Sequence, residues 1–154
     1  MKPIQNLLAF ISISLVFTAA SAEQIRPAGP TPATHSEFFT SEVAMVLVAR
    51  EEPAALFALT LAIDKPLPSG STLRIEFENP NMPSSPFIVD GAPDRNGKVL
   101  AQSPKFEGIQ NKRSYLTRTK VIGADQQIIS VHEQWIWFQM PKELRSVYST
   151  KIVD

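Results

Sequence analysis

The segment from Ser130 to Glu143, SVHEQWIWFQMPKE, contains the residues of this chain that are best suited to chemistry. It places a histidine beside a carboxylate, at His132 and Glu133, and follows them with Trp135 and Trp137. A histidine and a carboxylate can transfer protons in a hydrolase or bind a metal ion, and neighbouring tryptophans can form a ligand-binding surface. Each of these chemistries requires further residues elsewhere in the chain.

The residues that a metal site requires are scarce. A zinc site of the H-E-x-x-H type needs a second histidine at position 136, where Ile136 stands. The chain has two histidines and no cysteine, so nitrogen and sulfur ligands are few. Asp90–Gly97 supplies oxygen atoms, but Ala92 stands at the third ligand position of a calcium loop, and turn chemistry explains the segment. We therefore predict no metal and no other cofactor.

Nucleophilic catalysis lacks partners in a similar way. The absence of cysteine excludes thiol catalysis, and no G-x-S-x-G elbow accompanies His132. Glu76 and Glu78 lie on one face of an amphipathic strand, where a solvated surface is the ordinary interpretation. One enzymatic hypothesis is left, a small periplasmic hydrolase or an enzyme-inhibitor-like accessory domain that uses His132.

Other candidate residues point to binding rather than catalysis. Phe87 belongs to a short apolar insert in the long irregular region 79–97, and long loops often carry function. Arg118 lies among several basic residues near one predicted hairpin, where a solvated sheet face is the main expectation and a weak anion contact is the alternative. The predicted ligand- or partner-binding residues are Trp135, Trp137, His132, Phe87 and Arg118.

The orientation of the tryptophans depends on which side chains of residues 126–140 face the core. If Ile136, Phe138 and Met140 face inward, Trp135 and Trp137 form an exposed aromatic pair. If the tryptophans face inward, they anchor the core, and a β-bulge near residues 132–134 avoids the burial of an unpaired glutamate. We expect the tryptophans to be core residues, because large aromatic side chains are usually mostly buried.

The elements that must position these residues are β-strands. Residues 71–78 alternate between apolar and polar side chains, which is typical of an antiparallel sheet with one wet face. Residues 42–50 form an apolar run that predicts a strand covered on both faces, and residues 55–63 predict a strand, with a helix as the alternative. Further strands are predicted at 98–103, 104–110, 114–122, 126–140 and 148–153, with a hairpin turn at 123–125.

About seven short strands, separated by turn signals and accompanied by almost no amphipathic helix, predict an all-β fold. We expect a single antiparallel β-sandwich with immunoglobulin-like or jelly-roll-like connectivity. The domain would comprise residues 37–154. Residues 23–36, which contain three prolines and little apolar surface, predict a flexible leader.

Residues 1–22 have the features of a secretory signal peptide. Lys2 is followed by the apolar run Leu7–Ala20, and Ala20–Ala22 forms an A-x-A cleavage site. The absence of cysteine and of N-x-S/T sites suits a bacterial periplasmic or secreted protein. With 15 basic and 15 acidic residues, the chain gives no reason to expect nucleic acid or an anionic membrane as partner. No stable membrane span is expected after cleavage.

These features favour a non-catalytic exported module for binding or assembly. Its ligand would be a protein, a glycan or an apolar molecule, and its partner another exported protein or a component of the cell envelope. The small hydrolase that uses His132 is the alternative.

Overall fold

The computed structural model describes residues 25–148 and 152–153. Within this part of the chain, seven antiparallel strands form two sheets, which confirms the predicted all-β sandwich. The predicted signal peptide at 1–22 and residues 149–151 of the predicted last extended segment lie outside the described residues.

The strands divide into one sheet of three and one of four. The three-stranded sheet has the order β1-β2-β5 and the four-stranded sheet the order β4-β3-β6-β7, so the chain changes sheet after β2, β4 and β5. The elements are β1 Phe39–Val48, β2 Ala55–Ile63, β3 Thr72–Phe77, β4 Phe87–Gly91, β5 Lys98–Gln102, β6 Arg113–Ile122, β7 Ile128–Phe138 and the one-turn helix α1 Lys142–Arg145.

The core lies between the two sheets and is built from alternating side chains. Phe57, Leu59 and Leu61 of β2 are fully buried, which confirms the strand at 55–63 and excludes the helix that was the alternative. The ring of Phe57 stacks on that of Phe77 from the opposite sheet, with ring centroids 5.8 Å apart. Phe57 thereby joins the central strands of the two sheets, and β3 presents its predicted apolar face to the same core.

Three predictions about individual strands are wrong. Residues 104–110 were expected to form a strand, but only Phe106 and Gln110 pair there, each in an isolated β-bridge. Residues 42–50 were expected to be covered on both faces, but β1 is an edge strand, and Val43, Met45 and Leu47 are 37%, 42% and 41% exposed. The region 79–97 is not irregular throughout, because β4 pairs with β3 in a regular antiparallel register. The alternation of β4 lasts only five residues, which is too short to be recognised between prolines.

The prediction that the tryptophans anchor the core is also wrong. β7 pairs with β6 without interruption from Phe138 to Ser130, and the register shift lies near Ile122 rather than at residues 132–134. Ile136 and Phe138 face the core, whereas Trp135 and Trp137 lie on the opposite face and are half-buried. The inward face is not wholly apolar, because β7 is an edge strand and its polar positions meet the segment that precedes β1.

Candidate functional site

Residues 25–36, which we call the strap, pack along the side of the sandwich where the edge strands β1 and β7 meet. The Thr31 hydroxyl donates a hydrogen bond to the Trp135 carbonyl oxygen (3.1 Å), and the Ser41 backbone N–H donates to the Thr34 carbonyl oxygen (3.1 Å). The Ser114 hydroxyl donates to the Pro27 carbonyl oxygen (2.8 Å). The strap therefore contacts both sheets. The division of the chain into a leader at 23–36 and a domain at 37–154 stays a prediction.

An ion-pair cluster holds the N-terminal end of the strap. The Arg26 guanidinium donates two hydrogen bonds to the Glu78 carboxylate, at 2.7 and 2.8 Å, and the Glu78 side chain is only 8% exposed. Arg113 donates to the same carboxylate at 2.9 Å, and the Leu116 backbone N–H at 3.0 Å. A bidentate arginine–carboxylate pair supported by further donors is among the stronger polar contacts in proteins.

The same cluster sets the ionisation of Glu78. Burial raises the pKa of the Glu78 carboxyl, but the hydrogen bonds from Arg26, the Leu116 backbone and Arg113 outweigh it and hold the pKa below its ordinary value. Arg26 also lies over the ring of Trp135, with 5.8 Å between the guanidinium carbon and the ring centroid. The charged anchor of the strap thus covers part of a predicted binding residue.

A cavity of about 290 Å³ lies beneath the strap. Its walls come from strap residues 30–34, from β1 at Ser41, Glu42 and Ala44, and from β7 at Gln134, Trp135 and Trp137. Pro30 and Pro32 add rigid apolar surface to the strap side. The two tryptophans singled out from the sequence therefore border one cavity.

The polar side chains below the strap form a short hydrogen-bonded chain. The Thr34 hydroxyl donates to Gln134 Oε1 at 3.0 Å, and His132 Nε2 lies 2.8 Å from the same hydroxyl oxygen. Gln134 is 4% exposed, and its Nε2 has no hydrogen-bond partner among the described residues. Thr117, opposite Gln134 in the β6–β7 register, has a buried hydroxyl that is likewise unpaired within the described chain.

His132 lies at the inner end of this chain. Its ring meets that of Phe39 edge-on, with centroids 5.5 Å apart. Burial, together with the nearby charge of His35, lowers the pKa of His132. Glu133, the carboxylate next to it in sequence, lies on the other face of β7 and pairs with Arg118. The histidine–carboxylate pair suggested by the sequence is therefore not a pair in space.

His35, the other histidine, lies within residues 23–36, the predicted leader. Its Nδ1 is 2.9 Å from the Thr40 hydroxyl, which donates to Asp64 at 2.6 Å. Both histidines thus lie at the same edge of the sandwich. Across residues 25–148 and 152–153, histidine, aspartate and glutamate form no group of three that could hold a metal ion.

The remaining predicted residues lie away from the cavity. Phe87 of β4 stacks on Phe106, with ring centroids 5.7 Å apart. β4 is the edge strand of the four-stranded sheet on the side opposite to β7. The guanidinium of Arg118 donates to the Glu133 carboxylate at 2.6 Å on the outer face of the four-stranded sheet. The structure thus brings together Trp135, Trp137 and His132, and separates them from Phe87 and Arg118.

Sequence reasoning missed Gln134, Thr34 and the Arg26–Glu78 anchor. The sequence gives one indication for Gln134, because alternation places it on the same strand face as Ile136 and Phe138. It gives no indication for Arg26, since nothing in a proline-rich segment identifies a partner 52 residues away.

The chain has no match among models of known protein families, and no curated protein is significantly similar to it. Within the described residues, no helix has both the length and the apolar character needed to cross a membrane.

Proposed function

We propose that this protein is a non-catalytic, exported binding module that holds one neutral sugar unit of a cell-envelope glycan in the cavity beneath the strap. The observation that carries this proposal is the buried amide of Gln134, a residue of the cavity wall, whose N–H donor has no hydrogen-bond partner among the described residues. A buried donor without a partner costs about 1–3 kcal/mol, and a ligand oxygen that accepts its hydrogen bond removes this cost.

The size and walls of the cavity favour a sugar ring. Its volume of about 290 Å³ is at the small end of the range for ligand pockets, which suits a single ring rather than a long peptide. Trp135 and Trp137 supply aromatic surface for the apolar C–H face of a sugar, and Thr34 supplies a hydroxyl.

The charge of the cavity favours a neutral ligand. Glu42, the one charged residue that the described chain contributes to the wall, pairs with Lys98 at 2.8 Å, so its charge is balanced within the protein. The acetamide carbonyl of an N-acetylated sugar matches the Gln134 Nε2 donor, because a carbonyl oxygen is a strong acceptor. N-acetylglucosamine is therefore the preferred probe, and glucose is the matched probe that lacks the acetamide.

The test is a titration of the purified protein with each sugar, followed by tryptophan fluorescence and by amide chemical shifts. We expect N-acetylglucosamine to bind in the millimolar range and to perturb residues 30–34 and 134–137, with glucose at least about tenfold weaker.

Gln134→Met removes the amide at nearly constant volume and should abolish binding. Ile88→Met, on an exposed position of β4, should bind as the wild type does. Unchanged spectra at millimolar sugar, or full binding by Gln134→Met, would overturn the proposal.

The hydrolase alternative is supported by one observation, the 2.8 Å separation between His132 Nε2 and the Thr34 hydroxyl oxygen. A histidine next to a hydroxyl is the arrangement that activates a nucleophile. The Thr34 hydroxyl can equally donate to Gln134, which ties the strap to β7 without catalysis. Hydrolysis of a chromogenic ester that disappears in both Thr34→Val and His132→Gln, with the fold retained, would favour the enzyme over the binding module.

A further inference from the structure

The outer faces of the two sheets differ sharply in character. Three ion pairs cross the outer face of the four-stranded sheet, namely Arg74–Asp90, Lys120–Glu76 and Arg118–Glu133. This face is a solvated surface, as was the main expectation for the basic residues of β6.

The outer face of the three-stranded sheet is mainly apolar, with Thr60 and Gln102 as uncharged polar residues on it. Val43, Met45 and Leu47 project from β1, and they lie opposite Thr60, Ala58 and Leu56 of β2. Leu100 of β5, which lies opposite Thr60, is 68% exposed. A shallow hollow of about 150 Å³ between Leu47, Leu56 and Lys105 adds to this surface. Contiguous exposed apolar surface of this kind marks an interaction site.

An ion pair closes each end of the apolar face. At one end Glu42 of β1 pairs with Lys98 of β5 at 2.8 Å, next to Ala62 of β2. At the other end Glu52, in the β1–β2 connection, pairs with Lys105, just beyond β5. At both ends the acid lies on the β1 side and the base on the β5 side.

The charges at the two ends of this face are complementary to those of a second copy of the same face. If a second copy is turned by a half rotation about an axis parallel to the strands, its β5 lies over β1 of the first. Glu42 then faces Lys98 of the other copy, and Glu52 faces Lys105, so all four charges meet opposite charges. A half rotation about the axis across the strands instead places Glu42 over Glu52, which is repulsive. Charge complementarity therefore selects one orientation.

We propose that this protein forms a two-fold homodimer through the outer face of its β1-β2-β5 sheet, with the two-fold axis parallel to the strands. Three strands about 4.8 Å apart and about seven residues long give a face of roughly 350 Å². This is below the roughly 800 Å² per partner of a standard stable interface. The dimer should therefore be weak, with a dissociation constant in the micromolar range or above.

Sedimentation velocity of the purified protein from micromolar to millimolar concentration measures the association. Leu100→Lys and Met45→Lys place a charge in the centre of the face and should leave the protein monomeric. Ile88→Lys places the same charge on an exposed apolar position of the four-stranded sheet and should dimerise as the wild type does. Far-UV circular dichroism and thermal unfolding verify that each variant is folded.

Two charge reversals test the orientation. Glu42→Lys and Lys98→Glu each bring like charges together in a homodimer, so each variant alone should associate about tenfold more weakly than the wild type. Mixed in equal amounts, they should form a heterodimer, because each copy then faces the opposite sign. A wild-type protein that is monomeric at every concentration, dimerisation of Leu100→Lys, or a mixture no stronger than its components would each overturn the proposal.

Discussion

Glu78 shows how one residue can fix a segment that the sequence leaves undefined. Its buried carboxylate binds Arg26 of the strap and Arg113 of β6, so it joins segments far apart in the chain. Glu78 and Glu76 look equivalent in the sequence, as two glutamates on one strand face. They differ because Glu78 follows the last residue of β3 and lies beneath the strap.

Replacement of Glu78 by glutamine should destabilise the protein markedly. The change leaves Arg113 half-buried without its full counter-charge, and removes the bidentate contact to Arg26. Loss of one partner of a buried pair costs about 3–5 kcal/mol, and partial exposure of both arginines lowers our expectation to about 2 kcal/mol. Urea unfolding measures the difference. As the control, Asp90→Asn breaks the exposed Arg74–Asp90 pair and should leave stability almost unchanged. Equal losses of unfolding free energy in Glu78→Gln and Asp90→Asn would contradict a special role for Glu78.

At the scale of strands, alternation in the sequence identified most elements. β2, β3 and β6 have the predicted positions because each strand is longer than five residues and has a regular apolar face. What each strand packs against could not be predicted, because it depends on strand order. β1 looked like a buried strand and is an edge strand, since nothing in its own apolar run identifies its neighbours.

The register of β7 can be tested with two truncations on the same strand. Ile136→Ala removes a fully buried side chain from the core and should cost about 3 kcal/mol of unfolding free energy. Val131→Ala removes an exposed side chain and should cost less than about 0.5 kcal/mol. Thermal or urea unfolding measures both. A larger effect at Val131 than at Ile136 would contradict the register in which the tryptophans face outward.

At the scale of the whole molecule, His132 and Glu78, which both contact the strap or lie next to it, make the unfolding free energy depend on pH. The pKa of His132 is lowered from its ordinary value of 6.5, so the unfolded chain binds a proton before the folded one does. Stability is therefore unaffected by His132 above pH 6.5 and falls as the pH drops below it. The pKa of Glu78 is also lowered, from 4.5, so its contribution is present above pH 4.5 and is lost on further acidification.

We therefore expect the unfolding free energy to decrease from pH 7.5 to pH 5.5, in the window that His132 governs. The comparison is urea unfolding of the wild type and of His132→Gln at both values. The glutamine variant cannot take up the proton and should lose most of the decrease, whereas His35→Gln, at an exposed position, should keep most of it. A wild-type curve that is flat over this window would contradict the burial of His132.

The candidate site was only half predictable for a related reason. The tryptophans and His132 stand out by residue type, and they do lie together. The strap, Gln134 and Thr34 were hidden, because their importance comes from contacts between distant parts of the chain rather than from local pattern. Predicting them would require the strand order first.

The two walls of the cavity are synthesised at different times, because the residues that form them lie far apart in the sequence. Thr31 on one wall and Trp135 on the other are 104 residues apart, and β7 is the last strand in the described part of the chain. A chain made from its N-terminus presents the strap early, and the strap can contact β1, Glu78 just after β3, and β6, but the cavity lacks one wall until residues 134–137 of β7 have emerged. If a ligand binds beneath the strap, as we propose, it requires β7, and a nascent or truncated chain that ends before β7 should not retain it.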